Sequence, residues 1–568
     1  MYGIAIDMGT SGFRAQLIDL GSSQVLETAM TEKHPLPGGN ITDHLDFAIT
    51  VGESVAHEII IDTICKLIQS FSIDPAHITK MAVCGNPIQL SFFQNSEIRD
   101  LAYAGENMQK RLGIGNIERN ARVFPASEIF ENRIDMSNCE IIVPPAVRHE
   151  IGADALAMML ETDFLEQSTP TIVTDYGTNA EMAIKVGDRI ITASAAAGPA
   201  IEGQGVSCGM LASPGAISDV NIEGKYWRLT VLDEHMISHP SHLVDPSSGD
   251  IVERSTLRPL GITGTGLIAC LALAMQTGLI ESPPNIKNGR LFLSENIVIS
   301  ENDIKEAGKA IGAIRASQLT LIIEAGIAYE ELENMYMTGA SGTYVDPRKA
   351  MYAGSCPKYS KRIVQFGNTS LALARKILTD SSKLDEVIEL SKKIKVDHLM
   401  MATSDTFKKF YTCELSYWTE GMDMQSYNRF LKIYKLPALP SPSVFIKPEY
   451  EVCLSDDIKD TNPINIRIIN DIGVIVEESA INCIMCHQCE KECPEKAIHI
   501  VHRDNLIYAE YNAELCLGTS CKRCIGVCPV NAINYRDINT LYERSICPTV
   551  QQAASSSVEN PSQSTSSD

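Results

Sequence analysis

The sequence predicts an α/β protein of two similar lobes followed by a small, cysteine-rich α+β unit, and three observations carry that prediction. Strand-like runs such as "TIVTDYG" and "RIITASA" alternate with helical patterns such as "TLIIEAGIAYEELENMY", the order expected when helices cover a mostly parallel sheet. One strand-turn-strand pattern occurs twice, as "GIAIDMGTSGFRAQLIDL" from Gly3 and "TIVTDYGTNAEMAIKVGD" from Thr171. Two cysteine runs, each ending in Cys-Pro, lie close together near the end.

The first hairpin predicts the first lobe, residues 1–145. Its apolar strand ends in Asp7 and turns through Gly9, Thr10 and Ser11. The second hairpin opens the second lobe, residues 146–435, with Asp175, Gly177, Thr178 and Asn179 in the corresponding places. Such turns offer backbone N–H groups and hydroxyls with little bulk, a concavity suited to phosphate oxygens. An acid just before each turn is placed to hold Mg2+ through water or to orient an attacking water. "DxGT" alone is also ordinary turn chemistry; its repetition is what suggests two turns facing across a cleft.

A third segment, "MYMTGASG" from Met335 to Gly342, runs an apolar strand into a loop of small residues. Gly339 and Gly342 there would let backbone approach a flat ligand. Glu181 and Glu202 are weaker candidates for polar work in the cleft. The Gly-rich "GITGTGLIA" at 261–269 is either a hinge, a ligand contact or plain packing at a helix start. Cys208 reads as a small buried thiol.

In the C-terminal unit, residues 471–545, "CIMCHQCEKECP" places Cys483, Cys486, Cys489 and Cys493 as C-x2-C-x2-C-x3-C-P. "CLGTSCKRCIGVCP" places Cys516, Cys521, Cys524 and Cys528 as C-x4-C-x2-C-x3-C-P. The first is the spacing of a 4Fe-4S run in two-cluster modules, where the fourth cysteine of each run serves the other cluster, and the second departs from it by two extra residues in its first loop, "LGTS". One set is then Cys483, Cys486, Cys489 and Cys528, and the other Cys516, Cys521, Cys524 and Cys493. Zinc knuckles are the alternative, but they favour paired ligands across a long loop over three cysteines in seven residues. His487 reads as a spacer and Cys547 as a bystander.

Four prolines, Pro437, Pro440, Pro442 and Pro448, predict a semi-rigid linker over 436–470. The polar, low-complexity end, 546–568, predicts a disordered tail. Across all 568 residues, 48 Lys plus Arg face 71 Asp plus Glu, a formal charge of −23. That balance argues against nucleic acid as a partner. The opening has no basic leader-like segment, and the longest apolar run, "GLIACLALAM", is too short to span a bilayer. A cytoplasmic protein with no membrane partner is expected, its 17 cysteines reduced.

With "IAIDMGTSG" as first phosphate loop, "TDYGTNAE" as second and "MTGASG" as adenosine loop, the arrangement resembles the actin, Hsc70 and sugar-kinase ATPase superfamily, whose core is ribonuclease H-like. More narrowly, "PPAVRHEIGADALAMML", "TDYGTNAEMAI" and "ITASAAAGPAIEGQGVSCGM" look like the ATPase portion of the reductive activators of corrinoid proteins. The C-terminal ferredoxin-like cysteine runs make those serving methylamine methyltransferases in methanogenic archaea the best likeness. Activators from acetogens carry an N-terminal plant-type 2Fe-2S domain not found in these residues, so their electron path is not transferred.

The resemblance implies ATP-dependent reduction of inactive Co(II) corrinoid to Co(I), with ATP, Mg2+ and two 4Fe-4S clusters as cofactors. It implies corrinoid proteins and a low-potential electron donor as partners. Asp7 and Asp175 would act on Mg2+ or water, Thr10, Ser11, Thr178 and Asn179 on phosphates, and Gly339 and Gly342 beside adenosine. Competing readings are a metabolite kinase with redox-sensing clusters and an actin-like scaffold with a ferredoxin appendage. A 2-hydroxyacyl-CoA dehydratase activator is nearer in mechanism but needs no module of eight cysteines.

Overall fold

The computed structural model describes residues 1–103, 106–115, 117–130, 133–147, 151–198, 200, 205–394, 397–440, 448–453, 465–469, 475–503, 505–518, 521–535 and 538–540. Two seven-stranded sheets form its frame. In the first, Tyr2–Met8 pairs antiparallel with Phe13–Asp19 and parallel with Ile78–Gly85. In the second, Thr171–Asp175 pairs antiparallel with Asn179–Val186 and parallel with Asn334–Thr338. The repeated hairpin is thus the same element in two copies of one sheet plan.

Helices bury the central strands on both faces, so the pattern is apolar throughout and not alternating. Ile4, Ala5 and Ile6 are fully buried in one sheet, and Ile172 and Val173 in the other. Thr369–Thr379 packs on Tyr2–Met8 and Ile78–Gly85, and Ala153–Leu160 packs on Ile78–Gly85, Thr171–Asp175 and Thr369–Thr379. Chain order therefore does not follow the expected division of 1–145 from 146–435. Residues 369–379 return to the first sheet, where their buried face, including Leu371, Leu373 and Ala374, packs on Tyr2–Met8 and Ile78–Gly85.

The expected linker 436–470 is also corrected. Glu449–Cys453 adds a parallel edge strand to the second sheet beside Arg362–Phe366. Ile466–Ile469 adds one to the first beside Gln24–Thr31. The prolines read as a connector because they cannot donate to a ladder, but Pro448 precedes its strand, where a missing N–H costs nothing. Pro442 and the tail 546–568 lie outside the described residues, as do Glu202 and Cys547.

A five-stranded sheet over Ala216–Glu253 and Gly261–Ile262 projects from the second lobe. The C-terminal unit is a four-stranded antiparallel sheet, in the order Ile498–Arg503, Leu506–Asn512, Ile475–Ser479, Ile538–Thr540, with short helices Gln488–Glu492 and Arg523–Gly526. It docks on the first lobe, where Gly38 donates its N–H to the carbonyl of Cys516 at 3.0 Å. No helix among the described residues is long and apolar enough to cross a membrane.

Candidate functional site

Both hairpin turns open into one cleft of about 1010 Å³ between the sheets. Asp7, Gly9, Thr10, Ser11, Asp175, Gly177, Thr178, Asn179 and Gly339 all line it. The turns meet directly, with Ser11 Oγ and Thr178 Oγ1 3.3 Å apart. Each turn is braced from behind. Gly9 N–H donates to Gly12 O at 3.1 Å, Asn86 Nδ2 donates to Thr10 Oγ1 at 3.3 Å, and Gly198 N–H donates to Thr178 O at 2.9 Å.

Asp7 and Asp175 lie in the last two residues of equivalent strands and are held alike. Asn368 Nδ2 donates to Asp7 Oδ2 at 2.7 Å, while Thr338 Oγ1 donates to Asp175 Oδ2 at 3.1 Å. Asn368 also caps the helix Thr369–Thr379 through Leu371 N–H. Gly339 has φ +82, and a Cβ there would fall 2.3 Å from Asp175 Oδ1. This position thus must be glycine for the acid to keep its place. Gly342 is not in the cleft wall; it is buried, its missing Cβ only 3.1 Å from the Tyr176 ring. In "GITGTGLIA", Thr263 caps the helix Gly264–Gln276 and, with Gly264 and Thr265, reaches the cleft.

Two carboxylates deepen the site. Asp154, in the first turn of Ala153–Leu160, is partly buried and lines the cleft. Burial first, and then the charge of Asp7, push its pKa up to about 7. Glu181, opposite Asp175 in the hairpin register, is held well above the carboxylate range by burial and then by Asp154 and Asp175. Such a crowded acidic floor favours a cation that would relieve the repulsion. Among the described residues, no three His, Cys, Asp or Glu side chains converge as ligands of one metal ion. Arg14 and Arg348 bring positive charge to the same walls.

Sequence reasoning missed Asp154, Asn368 and Arg14. An acid in a helix's first turn and an Asn before a helix are read as caps. Arg14 follows the first turn by too little to stand out from a strand. Only the fold aims these three into the cleft.

A second, small pocket is lined by Cys493, Cys516, Cys521 and Cys524 with Ile498, Tyr511, Ile525 and Tyr535. The charges raising the Cys524 thiol to about 12, after burial, come from Cys516, Cys493 and Cys521. The fourth cysteine of the first run therefore stands with three of the second. Left-handed turns aim amides at the sulfurs: Met485 N–H to Cys483 Sγ at 3.4 Å and Gly518 N–H to Cys516 Sγ at 3.4 Å. Ala497 N–H to Cys493 Sγ and Ala532 N–H to Cys528 Sγ, both at 3.2 Å, repeat that relation between the runs. Donors aimed at thiolates in an apolar pocket fit an iron–sulfur cluster. His487 faces Glu490, at 2.9 Å. Cys208 donates to Val298 O at 3.5 Å inside the second lobe.

Comparison with known proteins is consistent along the chain. A family model described as the RACo middle region matches residues 2–167, one described as the C-terminal domain of RACo, the ASKHA domain, matches 169–428, and a 4Fe-4S dicluster domain matches 482–532. The chain is 60% identical over 520 residues to the Co(II) methylated amine-specific corrinoid protein reductase of Methanosarcina barkeri, covering 92% of this chain and 96% of that one. It is 25% identical over 403 residues to the corrinoid activation enzyme RamQ of Eubacterium limosum, covering 63% and 60% respectively. Among solved structures, a reductive activator for corrinoid, iron-sulfur protein superposes with a TM-score of 0.59 at 24% identity, covering 75% of this chain and 67% of that one.

Proposed function

This chain belongs to the family of reductive activators of corrinoid proteins, and from that premise we propose how its residues divide the work. The activity is the ATP-dependent return of a Co(II) corrinoid, carried by a partner protein, to Co(I). The partners we propose are the corrinoid proteins of methylamine methyltransferase systems, with a low-potential carrier as donor.

In the cleft, Thr10, Ser11, Thr178 and Asn179 would receive the phosphates of ATP. Asp7 and Asp175 would hold Mg2+ through water, as a hard cation that keeps much of its hydration requires. Gly339 would leave room for the adenosine, and Asp154 would orient and deprotonate the attacking water, since an acid at the cleft wall whose pKa is pushed up to about 7 suits a general base. Two 4Fe-4S clusters would be held by Cys483, Cys486, Cys489 and Cys528 and by Cys516, Cys521, Cys524 and Cys493. Bound there, such clusters supply one-electron transfer at low potential.

Returning an electron to Co(II) is uphill, so ATP must favour one arrangement of the lobes over another. A nucleotide that bound both arrangements equally would shift nothing. The contact between Ser11 and Thr178 carries this reading. It brings the two turns within reach of one ligand, so a phosphate chain bound there would report directly on lobe closure.

The test mixes the anaerobically reconstituted protein, a chemical reductant, ATP and a Co(II) corrinoid protein of a methylamine system, and follows the visible spectrum. Co(I) forming equally well without ATP would end the reading.

A further inference from the structure

The strand Ile475–Ser479 turns Val476 and Glu478 to the inside of the cysteine-rich unit, and Ala480 follows them there; all three are at most 2% exposed. A carboxylate thus stands where the alternation calls for an apolar side chain. Three hydrogen bonds hold it. Asn534 and Tyr535 donate their N–H groups to Glu478 Oε2 at 3.2 and 2.9 Å, and the Tyr511 hydroxyl donates to Oε1. All three donors are neutral, so they satisfy the carboxylate without cancelling its charge.

The same two tyrosines wall the pocket that gathers Cys493, Cys516, Cys521 and Cys524. Their rings meet edge to face with centroids 5.1 Å apart, and the Tyr535 hydroxyl lies 3.6 Å from Cys516 Sγ. One residue therefore separates the buried carboxylate from a thiol of the second run. The internal repeat breaks at these positions. "EESAINC" and "EYNAELC" lead into the two runs, with Glu478 in the place that Tyr511 takes in the other half, and "CPEKAIHI" ends in Ile500 where "CPVNAINY" ends in Tyr535. The repeat puts an acid in one half and a tyrosine in the other, so the two cysteine sites are not electrically equivalent.

We propose that Glu478 is a tuning residue of the second cluster, its fixed negative charge holding that site at a lower reduction potential than its ligands alone would set. Reduction adds one electron to the cluster and makes or breaks no bond, so a buried anion close by opposes it more strongly than one in water. The Tyr535 hydroxyl works the other way, since a donor at Cys516 Sγ favours the reduced cluster. An electron that must be driven uphill to Co(II) is helped by a more reducing carrier. The inference rests on the two clusters proposed above.

The experiment is a redox titration of the anaerobically reconstituted full chain against low-potential dyes, followed by electron paramagnetic resonance without ATP or corrinoid protein. The second cluster's signal is the one lost in Cys521→Ser. In Glu478→Gln the amide can keep all three contacts, its oxygen accepting from Asn534 and Tyr535 and its nitrogen donating to the Tyr511 oxygen, so charge alone is removed. That variant is expected to raise the second midpoint by about tenfold in the reduction equilibrium, about 59 mV for one electron, and to leave the first unchanged. Tyr535→Phe, which keeps the charge and removes the donor at sulfur, is expected to lower the same midpoint. If the carboxylate only braced Tyr535, both variants would shift that midpoint downward, and this result overturns the proposal. So does an unchanged second midpoint in Glu478→Gln, a shift confined to the first cluster, or loss of a cluster from that variant, which would make the acid a structural brace. A wild-type chain that takes up no clusters ends the cluster reading itself, whereas unshifted midpoints in a chain holding both end only this inference.

Discussion

Gly38 and Cys516 share a backbone hydrogen bond of 3.0 Å, joining the first lobe to the loop that carries the second cysteine run. The segment reaching Gly38 starts at Thr31 in the cleft wall, where Thr31 Oγ1 accepts from Phe13 N–H at 2.9 Å. One short strap therefore touches both the first hairpin turn of the cleft and the loop of the second cysteine run. Gly38 has φ +112, and a Cβ on it would fall 2.2 Å from Asp43 Cβ. Gly38→Ala is expected to cost about 1–3 kcal/mol locally and to loosen the joint. Hydrogen exchange should speed up in residues 34–45 and 514–518, with ATP binding retained and ATP-dependent activation reduced.

The strap is pinned by a buried pair of imidazoles. His34 and His44 stack with centroids 3.8 Å apart and planes 15° from parallel, and Gln89 bridges them with contacts of 3.1 Å to each. Burial lowers the His34 pKa to about 4 and holds His44 well below its usual value. The unfolded chain takes these protons near pH 6.5, and the folded chain resists them. This corner is thus fully stable above pH 6.5 and loses stability as pH falls toward 4, by roughly 3 kcal/mol for His34. His34→Asn should partly flatten the pH dependence of the urea midpoint between those values, followed by circular dichroism. A slope equal to wild type would refute the assignment.

Asp154 has the opposite sign. Its folded pKa is raised, so the folded protein keeps a proton that the unfolded chain releases between pH 3.8 and about 7, and its contribution to stability falls as pH rises through that window. Its basic form grows over the same range. ATP turnover should therefore rise with pH and level off at an apparent pKa of about 7 or below, a bound cation moving it downward. Asp154→Asn should lower turnover by about 10²- to 10⁴-fold and remove that limb of the profile, with nucleotide binding and the cluster spectrum intact.

Asp7→Asn and Asp175→Asn should abolish ATP-dependent activation, through lost Mg2+-nucleotide affinity, without loss of iron. Iron loss in these variants would mean that the two acids are structural.

Cys493→Ser tests the exchange of fourth cysteines. Because Cys493 stands with Cys516, Cys521 and Cys524, the variant is expected to disturb the second site and not the run in which Cys493 lies. Iron content should fall by about half, with electron paramagnetic resonance showing one cluster signal lost. Loss of the site served by Cys483, Cys486 and Cys489 alone would contradict the pairing.

Repeats were the part of this protein most readable in one dimension. The paired turns at Asp7 and Asp175 and the paired cysteine runs are local patterns whose spacing follows from covalent geometry and ligand chemistry, so the two lobes and the cysteine-rich unit could be derived without coordinates. Domain limits were less readable: Thr369–Thr379 has the same amphipathic look whichever lobe buries it, and a five-residue strand such as Glu449–Cys453 is invisible beside prolines. Asp154, Asn368 and Arg14 entered the site only through folding, because a cap, a first-turn acid and a strand arginine carry no local mark of what they will face. The sequence by itself determined which chemistry is present. Tertiary structure decided which acid is desolvated to a pKa near 7 and which cysteine run touches the first lobe, since burial and mutual field depend on neighbours distant along the chain.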